Sequence, residues 1–289
     1  MKKIKLFTNS SLDGLGVYSI LRWKYPDADI SVKTINVFNV RQSLLNWVLN
    51  DSFQNYDLNV FCSLDVSYIH DIIDVDNVLI IGFNAMELRH AKNRTILIGD
   101  TCTNGFLKTV KNLSITKSQE LFLKIVSDFV SMNFKSEISV NLNHVFRMTQ
   151  NADGISKIVH LFDSFATGFD SFDKYQNNMI EISKMRFAKL STDCFHGNLG
   201  SVSVLACVLT ELKVEFIKSK LKDSTYDIGL VYDPAESVIC IVNNKLENDR
   251  FAKFAKIVAG NEKPIYFNGY FMCKFSDFSL TLTQGFLPC

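Results

Sequence analysis

The chain has 289 residues, 47% of them apolar and 12% aromatic, which is long for one compact domain and enough to fill two cores. Thirty-one basic against 30 acidic side chains leave a net charge of +1, so no global field draws it to nucleic acid or to an anionic membrane. The longest apolar runs, at 78–81 and 202–209, fall far short of the roughly 20 residues that a bilayer demands, and no secretory leader follows Met1, so a cytoplasmic protein is expected.

The first unit reads as strand, loop and helix: a strand at 4–7, a polar turn at 9–14, and a helical stretch at 15–24 stopped by Pro26. A strand at 30–37, a helix at 41–49 with Leu44, Leu45, Val48 and Leu49 at helical spacing, and a strand at 58–62 follow. The right-handed crossover rule turns this βαβαβ start into a parallel sheet. A short helix at 67–73 and strands at 77–81 and 95–98 extend it. From 118 to 132 the apolar residues Leu121, Phe122, Ile125, Val126, Phe129 and Val130 recur at helix spacing, and 144–165 reads as further helix, so a helical cover closes the sheet.

A boundary near 177–191 divides the chain into 1–180 and a smaller 190–289. The smaller part alternates strand (202–207), helix (211–221), strands (226–232 and 237–242 around Asp233-Pro234), helix (249–258) and strands near 265–267 and 271–275. The expected class is α/β: a parallel-sheet domain with a helical cover, then a smaller C-terminal α/β domain. Seven scattered cysteines without a C-x-x-C pair argue against zinc and disulfides alike, and reduced thiols are expected.

In an open parallel sheet, ligands bind outside the carboxyl ends of the strands. Asp13 follows the first strand, Asp65 the third and Asp100 the fifth, while Asp153 lies at a break in the helical cover. Convergent carboxylates suit a hard divalent ion able to activate water against a phosphodiester. They are also common helix caps, and Asp13 and Asp65 both immediately precede helical segments. Residues 100–105, Asp-Thr-Cys-Thr-Asn-Gly, admit a nucleophile through the thiol and hydroxyls, but no base is evident beside them. The plainer reading is a turn leading into a helix at 106–110, and the hydroxyl and amide groups there, with Asp100 and Thr101, offer a phosphate-binding alternative. His90 reads as a surface or helix-end imidazole, with a swing into the cleft as the alternative.

Residues 7–16, Phe-Thr-Asn-Ser-Ser-Leu-Asp-Gly-Leu-Gly, resemble the first motif of the DHH phosphoesterases, approximately F-T-H-x-D-L-D-G-x-G. Residues 60–67 are similar to the second motif, with Asp65 as its acid; 78–84 stand where Asp-His-His follows a strand; and 146–165 are similar to a later helical motif whose metal-binding Asp is matched by Asp153. The resemblance runs through essentially the whole chain and implies a fold of the nano-RNase or single-strand exonuclease type with a divalent-metal site. Asn9 and Ser11 replace the family's His and first Asp, Gly82-Phe83-Asn84 replaces Asp-His-His, and the Gly-rich G-G-G-H element is absent. The matching metal ligands reduce to Asp13, Asp65 and Asp153, so the expected cofactor is none, or a single weakly bound Mg²⁺ or Mn²⁺.

Asn9, Ser10, Ser11, Gly14, Asn84, Asp100, Thr101 and His90 are the expected cleft or phosphate-binding residues. The reading that follows is a pseudoenzyme-like binder of a nucleotide, a short oligonucleotide or a protein partner, without efficient hydrolysis and without a membrane. Two alternatives stand beside it: a divergent metal-dependent phosphodiesterase acting on short RNA, DNA or cyclic nucleotides, and a structural or inhibitory subunit. The Asn-, Lys-, Phe- and Ile-rich composition points to viral origin and a host cytoplasm, and a homodimer is in keeping with the family.

Overall fold

A computed structural model of the chain describes residues 1–35, 40–50, 52–64, 66, 73, 76–82, 94–97, 101–131, 133–149, 156–189, 194–208, 214–222, 224–234, 237–260, 264–267, 270–274 and 286–288. The chain divides into two compact units, Met1–Ile180 and Glu181–Cys289.

In the first unit, β1 (Lys3–Thr8), β2 (Asp29–Thr34), β3 (Leu58–Cys62), β4 (Val78–Gly82) and β5 (Arg94–Leu97) form a sheet in the order β2-β1-β3-β4-β5. Every pair is parallel. Both faces are covered, which is why β3 and β4 are nearly continuous apolar runs rather than alternating ones. On one face Ile4, Leu6, Val60, Cys62, Leu79 and Ile81 join the larger core; on the other Phe7, Phe61, Val78 and Ile80 join Val40 and Leu44 of α2 (Val40–Leu49). Phe7 and Phe61, paired across β1 and β3, stack with ring centroids 5.0 Å apart, and Trp47 meets Phe7 edge-on at 4.4 Å.

The larger face is covered by α1 (Leu12–Lys24), α3 (Cys102–Thr109), α4 (Lys117–Val130), α5 (Glu137–Met148) and α6 (Lys157–Phe165). All ten residues 12–21 of α1 are buried, because α3, α4 and α6 pack against this helix. It begins three residues earlier than the periodicity suggests. Gly14 and Gly16 weaken the helical signal there, but Ser11 caps the helix start and Asp13 sits in its first turn. The single helix expected over 144–165 is two helices. The first ends at Met148 before an extended Thr149, and the second starts afresh where the Ser156 hydroxyl accepts the Val159 N–H. Next comes α7 (Lys174–Lys189), on which the boundary read from sequence falls.

The second unit contains β6 (Cys194–Leu199), β7 (Val202–Val208), α8 (Val214–Leu221), β8 (Ile228–Asp233), β9 (Val238–Asn243), α9 (Asn248–Ala259), β10 (Ile265–Phe267), β11 (Tyr270–Lys274) and β12 (Phe286–Pro288). Its sheet runs β10-β11-β9-β8-β7-β6-β12, with β7–β8 parallel and the other described pairs antiparallel. Phe251, Phe254, Ala255 and Val258 of α9 pack on Val204, Ile228, Leu230, Ile239 and Ile241.

Cys194 and Cys207 face each other across β6 and β7, with Cα atoms 4.3 Å apart, and are joined in a disulfide. This corrects the expectation of reduced thiols for that pair. Thirteen residues apart, the two have no spacing signature; the hairpin at Gly200, whose φ is +61°, sets them opposite. Cys62, Cys102, Cys240 and Cys273 are buried. Among the described residues no helix is long and apolar enough to cross a membrane.

Candidate functional site

The strand order places β2 on one side of β1 and β3 on the other, which makes the carboxyl ends of β1 and β3 the switch point where open parallel sheets form a crevice. Three segments meet there: the turn from β1 into α1, the residue after β3, and the start of α3.

From the first segment, Ser11 caps α1, accepting the Gly14 N–H at 3.3 Å and donating its own hydroxyl to Asn9 Oδ1 at 2.6 Å. Asn9 is only 6% exposed, whereas Ser10 is exposed. A helix start leaves its first N–H groups outside the helix's own bonds. Ser11 takes that of Gly14, and among the described residues those of Leu12 and Asp13 meet no acceptor. The Thr8 hydroxyl, fully buried at the end of β1, has no hydrogen-bond partner among the described residues. A Cβ on Gly14 would lie 2.6 Å from that hydroxyl, so glycine is what lets α1 settle on the strand end.

The second segment is Ser63, which adopts the left-handed conformation, with φ +55°. That conformation is uncommon for a residue with a Cβ, and it turns the Ser63 hydroxyl toward Asp13 Oδ2, to which it donates at 3.1 Å. The third segment is the first turn of α3. Here the Cys102 N–H donates to Asp13 Oδ2 at 3.0 Å, the Thr103 N–H to Oδ1 at 2.8 Å, and the Thr103 hydroxyl to Oδ1 at 2.7 Å. Thr103 comes this close to α1 because residue 16 is glycine; a Cβ there would overlap the Thr103 side chain. Thr101 completes the helix start by accepting the N–H groups of Asn104 and Gly105.

The carboxylate of Asp13, 1% exposed, therefore accepts two bonds on each oxygen. Its charge faces the positive end of the α3 dipole. Because the first four N–H groups of α3 are all satisfied, by Asp13 and Thr101, this helix start does not present itself to an outside phosphate. Thr101 acts as an N-cap. The nucleophile considered for 100–105 is inert as well: burial, a hydrogen bond to Cys62 and the neighbouring Asp13 charge push the Cys102 thiol well above its ordinary pKa. The neutral Cys102 thiol lies 2.9 Å from the Ser63 hydroxyl.

Asp65, Asn84, His90, Asp100 and Asp153 lie outside the described residues. Asp13, Asn9, Ser10, Ser11, Gly14 and Thr101 are brought to the crevice, and Ser63 and Thr103, which sequence reasoning did not single out, are central to it. Ser63 carries no signal in sequence, since serine is not a residue that advertises a left-handed turn.

A divalent ion wants several free oxygen ligands. Among the described residues the site offers Asp13, with both oxygens engaged, and Asn9 Oδ1, which already accepts Ser11. No cluster of three or more His, Cys, Asp or Glu residues among them is arranged to hold a metal.

The chain is similar to several solved structures. PggH, a pGpG-specific phosphodiesterase from Vibrio cholerae, superposes with a TM-score of 0.55 at 10% identity, over 97% of this chain and 96% of that one. Exonuclease RecJ bound to manganese gives 0.49 at 9% identity over 95% and 86%. CDC45 from Entamoeba histolytica gives 0.48 at 11% identity over 98% and 94%. No family model matches the chain, and no curated protein matches its sequence. The protein thus shares the α/β fold of PggH, with a parallel-sheet unit followed by a smaller sheet unit.

Proposed function

We propose that this chain binds the phosphate of a nucleotide or short oligonucleotide in the crevice outside β1 and β3 and does not hydrolyse it efficiently, with no metal or at most a single weakly held Mg²⁺ or Mn²⁺. The observation that carries this reading is the donor set at the start of α1, where Ser10 is exposed. Asn9, Ser10 and the free N–H groups of Leu12 and Asp13 are neutral donors beside a helix N-terminus, a setting that suits a phosphate oxygen. The fold likeness to a phosphodiesterase specific for pGpG makes linear dinucleotides the first ligands to try.

Calorimetric titration of chelator-treated protein with linear and cyclic dinucleotides, run beside a turnover assay in Mn²⁺, tests the proposal. Micromolar binding in chelator without turnover supports it, particularly where Asn9→Asp weakens binding by about tenfold or more through repulsion of the phosphate. Turnover that requires Mn²⁺, with no binding in chelator, would replace it with a divergent phosphodiesterase. No binding under either condition would overturn it in favour of a subunit that acts on another protein.

A further inference from the structure

We infer that Asp13, the one acid of the first motif that this chain keeps, is not a metal ligand but the internal cap of α3: the helix N-terminus supplies the positive counterpart that a cation would otherwise provide. This deepens the reading of a non-hydrolytic binding site and rests on it only for the site's location.

A carboxylate has about four lone-pair positions. All four are matched here, by the N–H groups of Cys102 and Thr103 and the hydroxyls of Thr103 and Ser63, at 2.7 to 3.1 Å. A cation reaching Asp13 has to displace at least one of these donors and leave it unsatisfied in a buried place, which is costly. Three separate features of the chain serve the same contact. Ser63 takes a left-handed backbone that delivers its hydroxyl. Gly16 makes room for Thr103. Thr101 caps the next two N–H groups of α3, so that those of Cys102 and Thr103 are the pair left for Asp13. Asp13 is accordingly a positioning residue: it fastens α3 to the first turn of α1 and so holds in place the helix end proposed to meet the ligand.

The test is thermal unfolding together with amide hydrogen exchange of residues 102–109, for wild type and Asp13→Asn, each in chelator and in millimolar Mn²⁺. Wild-type Tm is expected to be the same in both solutions. Asp13→Asn puts an amide NH₂ against N–H donors, and should lower Tm by about 5 °C or more and speed exchange of 102–109 by at least about tenfold, in either solution. If Asp13→Asn does not fold, Thr103→Val, which removes one donor and keeps the shape, should shift both readouts the same way by less. A saturable rise of wild-type Tm with Mn²⁺ that Asp13→Asn abolishes would overturn the inference, as would unchanged exchange of 102–109 in the variants. Neither readout involves a nucleotide, so a failure to bind dinucleotides leaves this result intact, and the reverse also holds.

Discussion

The parallel sheet of the first unit gathers residues that are distant in sequence, whereas the mixed sheet of the second sets near neighbours face to face. Asp13 meets Cys102 and Thr103 across 89 and 90 residues, and the meeting is made of hydrogen bonds to a buried charge. Cys194 meets Cys207 across 13 residues, and that meeting is covalent. Parallel strands need long crossovers, so their carboxyl ends collect side chains from many segments at one edge, which favours a polar cluster. An antiparallel hairpin returns at once and places residue opposite residue, which favours a pairwise link.

Both tryptophans, Trp23 and Trp47, belong to the first unit, so fluorescence follows that unit alone and gives a way to break the comparison. The largest effect is expected from replacing Cys194 and Cys207 together by serine. Opening the hairpin link should cost the second unit about 3 kcal/mol by loop-closure entropy, seen as faster amide exchange over 194–208 with an unchanged fluorescence midpoint in denaturant. A matching shift in fluorescence would mean that the two units do not unfold separately. Next is Gly16→Ala, which forces Thr103 away from α1 and should cost about 2 kcal/mol in the fluorescence transition. Adding Thr103→Ala should recover part of that loss despite the missing hydroxyl; strict additivity of the two changes would show that their contact is not the cause.

The smallest effect concerns pH. Desolvation lowers the half-buried Lys218 of α8 from 10.5 to about 8. Between those two values the unfolded chain holds a proton that the folded one has released, so the stability of the second unit should climb as pH rises from about 8 toward 10.5. Denaturant midpoints across that range should show the climb in wild type and a flatter profile in Lys218→Met. Parallel profiles would show that burial does not tune this lysine.

Much of this architecture is legible in the residues themselves. The runs Leu58–Cys62 and Val78–Gly82 are apolar enough to read as strands buried on both faces, and the chain order of strands and helices gives a parallel sheet. The turn at Asn9, Ser10 and Ser11 and the acid at Asp13 stand out because they follow the first strand. What Asp13 does is not legible, because its partners arrive with α3, and only the strand order decides that α3 starts beside α1. β6 was missed for a local reason: Cys-Phe-His-Gly-Asn-Leu has neither alternation nor strong strand propensity, and pairing on both sides, with β7 and β12, defines it.

The Asp13 contact also bears on how long the folded state lasts. A bond that spans 89 residues and needs β1, β3 and α3 already in place has little to hold before the first unit is nearly complete. Interactions absent from the transition state act on the rate of leaving the native basin rather than on the rate of reaching it. The Asp13 cap is then a brake on unfolding, and the protein's lifetime in its folded form depends on it more than its speed of folding does.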